Sequence, residues 1–247
     1  MDLHDRVVWV TGSAQRLGRA MALDLARRGA NLVVHYNQSE AEARSAVAEI
    51  EALGRRAIMV QADLSDLDQI KGVVARIDEA FGRLDVLVNS AANFHRVKLE
   101  AIDEALWDAS LNVNLKGPAF CALACVELMR RGGSGKIINF ADWAGFRPYR
   151  NYLPYLVSKG GVITLTKALA LELAPEIQVN AIAPGPVLPP EGASAAELER
   201  MVRQVPLGRL GAPADIVAAV AFLIEGGDYI TGQVLCVDGG RLIANPA

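Results

Sequence analysis

Three features of the chain predict an α/β protein with a doubly wound parallel sheet. Short apolar runs alternate with amphipathic segments, glycine and polar residues gather where the runs end, and no linker or internal repeat interrupts the order.

The runs RVVWV, ANLVVHY, RAIMVQ and LDVLVN are rich in branched residues and read as strands. Between them, QRLGRAMALDLARRG, SEAEARSAVAEIEALG and DLDQIKGVVARIDEAFG carry helical periodicity. Strand, helix and strand in succession require right-handed crossovers, which make the strands parallel and place helices on both faces. The second half continues with a helical tract over about 103–131, the strand KIINF and a helix over about 152–174. The strand IQVNAIA, a polar insert near 186–212, a helix over about 213–225 and a last strand near VLCV complete it. With 52% hydrophobic residues the 247 positions can bury one substantial core, so residues 1–247 are read as one domain.

The net charge of −3 comes from interspersed acids and bases, without a run of five like charges, which argues against a nucleic-acid partner. No apolar stretch approaches the ~18 residues a membrane span needs, so a cytoplasmic protein without membrane attachment is expected. Cys121 and Cys125 stand at helical spacing inside AFCALACVELM and read as core, and the three histidines are scattered. No metal site is expected.

In open parallel sheets a ligand sits beyond the carboxyl ends of the strands. At those ends stand Thr11-Gly12, His35-Tyr36-Asn37, Asp63, Asn89-Ser90-Ala91, Ala141-Asp142 and Pro184-Gly185. TGSAQRLGRA follows the first strand and opens the first helix, where Gly12 permits a tight turn. Gly18 is expected to let that helix pack close to the sheet, with its N-terminus aimed at a diphosphate. In ADWAGFRPYRNYLPYLVSK three tyrosines occur, but only Tyr155 has a lysine, Lys159, at i+4 on the same helix face. A phenol with a reference pKa of about 10 is too weak an acid for proton exchange at neutral pH, and the neighbouring cation is expected to lower it.

With these motifs in order, residues from about 5 to 240 resemble the short-chain dehydrogenase/reductase family, through Thr11-Gly12 with Gly18, Asp63, NSAA at 89–92, Asn114 in VNLKG, Tyr155 with Lys159, and Pro184-Gly185. The resemblance implies a Rossmann-type sheet of about seven strands, a nicotinamide cofactor and a homotetramer built from two long helices. It further implies that Gly12, Arg16, Leu17, Gly18, His35, Tyr36, Asn37, Ser39, Asp63, Leu64, Asn89, Ser90, Ala91, Tyr155, Lys159, Pro184 and Gly185 hold that cofactor. Tyr155 would deliver a proton and Asn114 would hold a water in the proton path. The family's serine falls thirteen residues before the tyrosine, and there this chain has Asp142. An ionised Asp142 accepts hydrogen bonds only and suits a nitrogen heterocycle, whereas a protonated one, kept dry by Trp143 and Phe94, would imitate serine.

NADP(H) is expected, because VVHYNQSEAEA places no acid before Glu40. Ser39 and Asn37 would donate to a 2′-phosphate and Arg16 would add positive charge, although Gln15 and Gln38 stand where related enzymes often carry a base. Arg16 in TGxxxRLG, the pattern HYxxS at 35–39, Phe94 five residues after Asn89, and Asp142 resemble the pteridine reductase branch. That resemblance implies a substrate site of Arg16, Phe94, Asp142 and Tyr155, with Phe94 stacking a pterin and the insert closing as a substrate loop. The expected activity is therefore NADPH-dependent reduction of a dihydropterin or dihydrofolate. Ser90 and Ala92 depart from the branch, which has asparagine and glycine there. The alternatives are a carbonyl reductase, such as a 3-oxoacyl thioester reductase, and a non-catalytic nicotinamide-sensing module.

Overall fold

A computed structural model describes residues 1–189 and 192–244. Its strands are β1 (Val7–Val10), β2 (Asn31–Tyr36), β3 (Ala57–Gln61), β4 (Val86–Asn89), β5 (Gly135–Phe140), β6 (Ile177–Pro184) and β7 (Val234–Val237). They form one sheet in the order β3-β2-β1-β4-β5-β6-β7. Every pairing is parallel, for example Trp9 against Val33 on one side and Leu87 on the other. Strand order reverses between β1 and β4, the switch point at which an open sheet of this kind leaves a crevice.

The eight helices are α1 (Arg16–Arg27), α2 (Glu40–Ala52), α3 (Leu67–Phe81), α4 (Glu104–Leu111), α5 (Gly117–Arg131), α6 (Leu153–Leu173), α7 (Ala195–Arg203) and α8 (Pro213–Glu225) among the described residues. Alternate residues of each strand serve opposite faces. Val8 and Val10 join Met21 and Leu25 of α1, Ile50 of α2 and Ile216 of α8 in one core. Val7 and Trp9 join Ile70 of α3, Leu128 of α5 and Leu173 of α6 in the other. Cys121 and Cys125 are fully buried in this second core, which pushes both thiols well above their ordinary range.

Two segments differ from the sequence expectation. The tract over 103–131 is not one helix: a five-residue π-helical segment, Asn112–Lys116, separates α4 from α5. Asn114 lies inside that segment and is fully buried, so the wider winding serves to direct this residue. The insert near 186–212 contains α7, started by a capping box in which Ser194 and Glu197 bond each other's backbone amides. Residues 190–191 of the insert lie outside the described residues. No described helix is long and apolar enough to cross a membrane.

Candidate active site

The carboxyl ends of the strands open on a cleft of about 1510 Å³. Its nucleotide half begins at Gly12, whose φ of +66° needs a residue without a side chain. The Gly12 amide donates to His35 Nδ1 at 2.9 Å, while His35 Nε2 lies 3.1 Å from the Ala62 carbonyl. These two partners fix a neutral ring protonated on Nε2, and burial holds its pKa down at about 4. Thr11 Oγ1 accepts from the amides of Ser90 and Ala91 at 2.9 and 3.0 Å, tying the ends of β1 and β4 together.

Gly18 is close-packed, but against the glycine turn rather than the sheet: a Cβ there would stand 2.2 Å from the Gly12 carbonyl oxygen. Helix α1 therefore begins hard against the turn. No side chain caps its first amides and no acid occupies its first turn, so the terminus presents positive charge to an anion. Arg16 adopts φ +51°, a conformation that glycine takes freely and a side chain resists. Strain of this kind at a cleft wall is retained where the side chain has work there. A diphosphate fits this turn, where α1 opens without a side-chain cap, with a basic side chain and no acid.

Beyond β2, Tyr36, Asn37 and Ser39 line the cleft. Gln61 Nε2 donates to the Asn37 carbonyl at 2.9 Å, and Ser39 precedes α2 without capping it. Glu40, the first acid after the strand, is turned to Arg44 at 2.8 Å. Asp63 also lines the cleft, its Oδ1 accepting from the amide and hydroxyl of Ser65, and Leu17, Leu64, Pro184 and Gly185 complete the wall. Asn89 does not reach it. Its Nδ2 donates to the Pro118 carbonyl and to Asn139 Oδ1, and Asn139 donates to Thr166 on α6. Asn89 thus belongs to a buried polar chain that fixes α6 to the sheet.

Helix α6 brings Tyr155 and Lys159 to the other half of the cleft, one turn apart and both buried. The Tyr155 hydroxyl donates to Asp142 Oδ2 at 2.7 Å, and Asp142 Oδ1 accepts from the Ala144 amide at 2.8 Å. Lys159 Nζ donates to the Phe140 carbonyl at 2.7 Å and lies 5.8 Å from the centre of the Tyr155 ring. The expectation that the lysine lowers the phenol's pKa is corrected here. Burial, followed by the negative charge of Asp142, holds Tyr155 well above its ordinary value. Burial brings Lys159 down to about 8, and it raises Asp142, with the Ala144 amide, Tyr155 and Lys159 opposing. Burial therefore shifts both groups towards their neutral forms.

Asn114 stands behind the wall. Its Oδ1 accepts from the Asn93 amide at 2.8 Å and its Nδ2 donates to the Asn93 carbonyl at 3.0 Å. The π-helical segment thereby clamps the backbone next to Phe94, and the Val97 amide ties the same loop to the Asn151 carbonyl. Phe94 is 54% exposed, with its ring stacked on Tyr152 at 4.6 Å and edge-on to Tyr155 at 4.7 Å. Tyr149 continues the series, edge-on to Tyr152 at 5.2 Å and stacked on Trp143 at 5.7 Å. Tyr149, Tyr152 and Arg241 also line the cleft and were not singled out from the sequence. The tyrosines follow from aromatic spacing ahead of α6, whereas Arg241, 86 residues beyond Tyr155, leaves no local signal.

The sequence family described as enoyl-(acyl carrier protein) reductase matches residues 12–241. The chain is 40% identical to a Staphylococcus aureus 3-oxoacyl-(acyl-carrier-protein) reductase, FabG, over 94% of this chain and 96% of the relative. It is 38% identical to the hydroxy(phenyl)methylsuccinyl-CoA dehydrogenase subunit BbsD of Thauera aromatica, over 98% of both chains. A crystal structure of a Sinorhizobium meliloti 1021 protein assigned as a short-chain alcohol dehydrogenase superposes with a TM-score of 0.92 at 35% identity, covering 99% of each chain. The chain belongs to the short-chain dehydrogenase/reductase family. As a member of that family it is a nicotinamide-dependent oxidoreductase acting on a small-molecule substrate. These short-chain dehydrogenase/reductase relatives carry the names of carbonyl and alcohol enzymes, and none of them bears a pteridine reductase name.

Proposed function

We propose that the protein is an NADP(H)-dependent carbonyl reductase acting on a 3-oxoacyl thioester. The observation that carries this reading is the buried Tyr155 hydroxyl, held in the cleft by Asp142 in a chain 40% identical to a 3-oxoacyl-(acyl-carrier-protein) reductase. The reduced nicotinamide supplies the hydride when bound. Tyr155 gives its proton to the carbonyl oxygen, so that the C=O becomes CH–OH, a contribution of roughly 10² to 10⁴ in rate. Burial raises the pKa of Asp142, and the protonated form of the acid would donate a second hydrogen bond to the same oxygen, as a serine does. Lys159, anchored on the Phe140 carbonyl, holds its positive charge 5.8 Å from the centre of the Tyr155 ring, where it would steady the cofactor beside the donor rather than lower the resting phenol's pKa. Asn114 acts by holding the Asn93–Phe94 backbone, and it keeps the role in proton resupply that the family resemblance gives it.

Preference for NADP(H) is supported by Asn37 and Ser39 at the end of β2 and by the absence of a carboxylate there before Glu40. A homotetramer is supported by apolar side chains exposed on α5 and α6, Phe120 and Leu123 with Val157 and Leu171. A second reading, reduction of a C=N bond in a dihydropterin, is favoured by the half-exposed Phe94 ring and by Asp142 itself, which as a carboxylate would accept from ring N–H groups.

Loss of NADPH absorbance with acetoacetyl-CoA, dihydrobiopterin and dihydrofolate separates the two. Turnover of the thioester alone is the expected result, and turnover of a pterin alone would replace the first reading with the second.

A further inference from the structure

The turn after β7 carries an arginine into the catalytic half of the cleft. Its backbone is fixed from two sides. Asp238 Oδ1 accepts from the Gly240 amide at 2.9 Å and its Oδ2 accepts from the Leu242 amide at 2.6 Å. Arg147 Nη1 donates to the carbonyls of Leu242, at 3.1 Å, and Ala244. The Asp238 oxygens are thus engaged by the backbone, and no described carboxylate forms an ion pair with Arg241. The guanidinium instead lies 4.5 Å over the Trp143 ring and donates from Nη2 to the neutral Gln204 Oε1 at 2.9 Å.

An arginine has five N–H donors, and this side chain uses one hydrogen bond to hold its plane on an indole. Stacking of this kind fixes the fork, and the carboxylate that acts on its charge, Asp238, does so from beyond ion-pair distance with both oxygens held by backbone amides. The surroundings leave positive charge in excess. Arg147 adds a second positive charge close by, and the wall of the substrate half carries Arg96, Arg150 and Arg200 against Asp142 and Glu197. Among the described residues none of those three arginines has an ion-pair partner within salt-bridge distance. This excess of positive charge stands in a chain of net charge −3. Trp143 directly follows Asp142 in the chain, and the indole, the guanidinium stacked on it and the Tyr155–Asp142 pair all line the same cleft.

We propose that Arg241 binds a carboxylate carried on the acyl part of the substrate, so that the enzyme prefers acidic 3-oxoacyl thioesters over neutral ones. The planar carboxylate matches the planar fork, and its binding sets the reacting carbonyl against Tyr155. This inference rests on the carbonyl reductase reading.

The test compares acetoacetyl and 3-oxoadipyl N-acetylcysteamine thioesters, which share a reacting group, lack phosphate and differ by a terminal carboxylate. Wild type is expected to show a lower KM for the acidic substrate. Arg241→Gln should raise that KM roughly ten- to hundredfold, the worth of a charge-assisted hydrogen bond, with little change for the neutral substrate. Arg241→Lys should recover part of the loss. An equal effect on both substrates, or no preference in wild type, would overturn the proposal and show that the arginine only packs on Trp143.

Titration of glutarate and of its neutral diamide into the NADP⁺-saturated protein gives a readout independent of turnover. Selective glutarate binding that Arg241→Gln abolishes supports the site even if neither thioester is reduced, in which case only the carbonyl reductase reading falls. Failure of wild type to bind glutarate more tightly than the variant overturns the site itself.

Discussion

The Tyr155 hydroxyl donates to Asp142 Oδ2 at 2.7 Å, so the proton donor and the acid that stands in for serine form one unit. Burial shifts both groups towards their neutral forms, and the Tyr155 hydroxyl carries the proton that the pair can release to a developing alkoxide. Tyr155→Phe removes the transferable proton while preserving the ring that Phe94 packs against. A fall in kcat of roughly 10² to 10⁴ is expected. NADPH affinity, read by fluorescence titration, should change little, and near-normal turnover would exclude Tyr155 as the donor.

Asp142 makes the reaction pH-sensitive in a direction opposite to that of an ionised base. In carbonyl reduction its protonated form is the useful one, so activity should decline as pH rises through its raised pKa. Asp142→Ser should remove that decline and increase thioester turnover at neutral pH; an unchanged profile would mean that the acid takes no part. Stability follows the same sign. The protonated acid's contribution is fully present below the unfolded carboxyl value of about 3.9 and is lost as pH rises through the higher folded value. Asp142→Asn should therefore resist urea better than wild type at pH 7.

Much of this site was legible because its chemistry is local. Gly12 and Gly18 announce a turn at the end of a strand, and Tyr155 with Lys159 lie one helical turn apart. The seven strands were legible because branched residues recur between helical periods, and parallel order follows from the crossovers. What escaped depends on tertiary placement. The π-helical segment at Asn112–Lys116 is set by the clamp between Asn114 and the distant Asn93, not by any propensity in NVNLK. The direction of the Tyr155 shift escaped for a related reason: i+4 spacing brought Lys159 near the ring, but the lysine's hydrogen bond goes to Phe140. Arg241 reaches the cleft only through the fold of the last turn. Helix α7 is a different case, because the Ser194 to Glu197 capping box is written in the sequence but stands among polar neighbours.

His35 links the glycine turn to pH. Its ring must stay neutral for Nδ1 to accept from the Gly12 amide, and burial holds its pKa at about 4. A depressed histidine contributes stability that is present above its unfolded pKa of about 6.5 and is lost as pH falls towards the folded value. Across that window the loss is roughly 3 kcal/mol, with no large discount for solvent because the residue is 2% exposed. Urea unfolding at pH 7 and pH 4.5 should show this destabilisation. His35→Asn, which keeps an acceptor near Gly12 without a titrating ring, should flatten the dependence. An equally steep fall in the variant would move the cause to other groups.

Cofactor preference turns on a charge that is missing. After β2 the cleft wall offers Asn37 and Ser39, and the first acid, Glu40, is drawn away by Arg44. Asn37→Asp introduces a carboxylate at the strand end, where it would repel a 2′-phosphate and accept from the ribose hydroxyls of NADH. An uncompensated like charge at this range is worth about 1–3 kcal/mol, so kcat/KM for NADPH should fall about ten- to hundredfold while that for NADH rises. The variant leaves Tyr155 and Asp142 untouched, and kcat at saturating cofactor should therefore stay near the wild-type value. Equal loss with both cofactors would indicate damage to the β2 end rather than discrimination, and unchanged NADPH kinetics would place the 2′-phosphate away from Asn37.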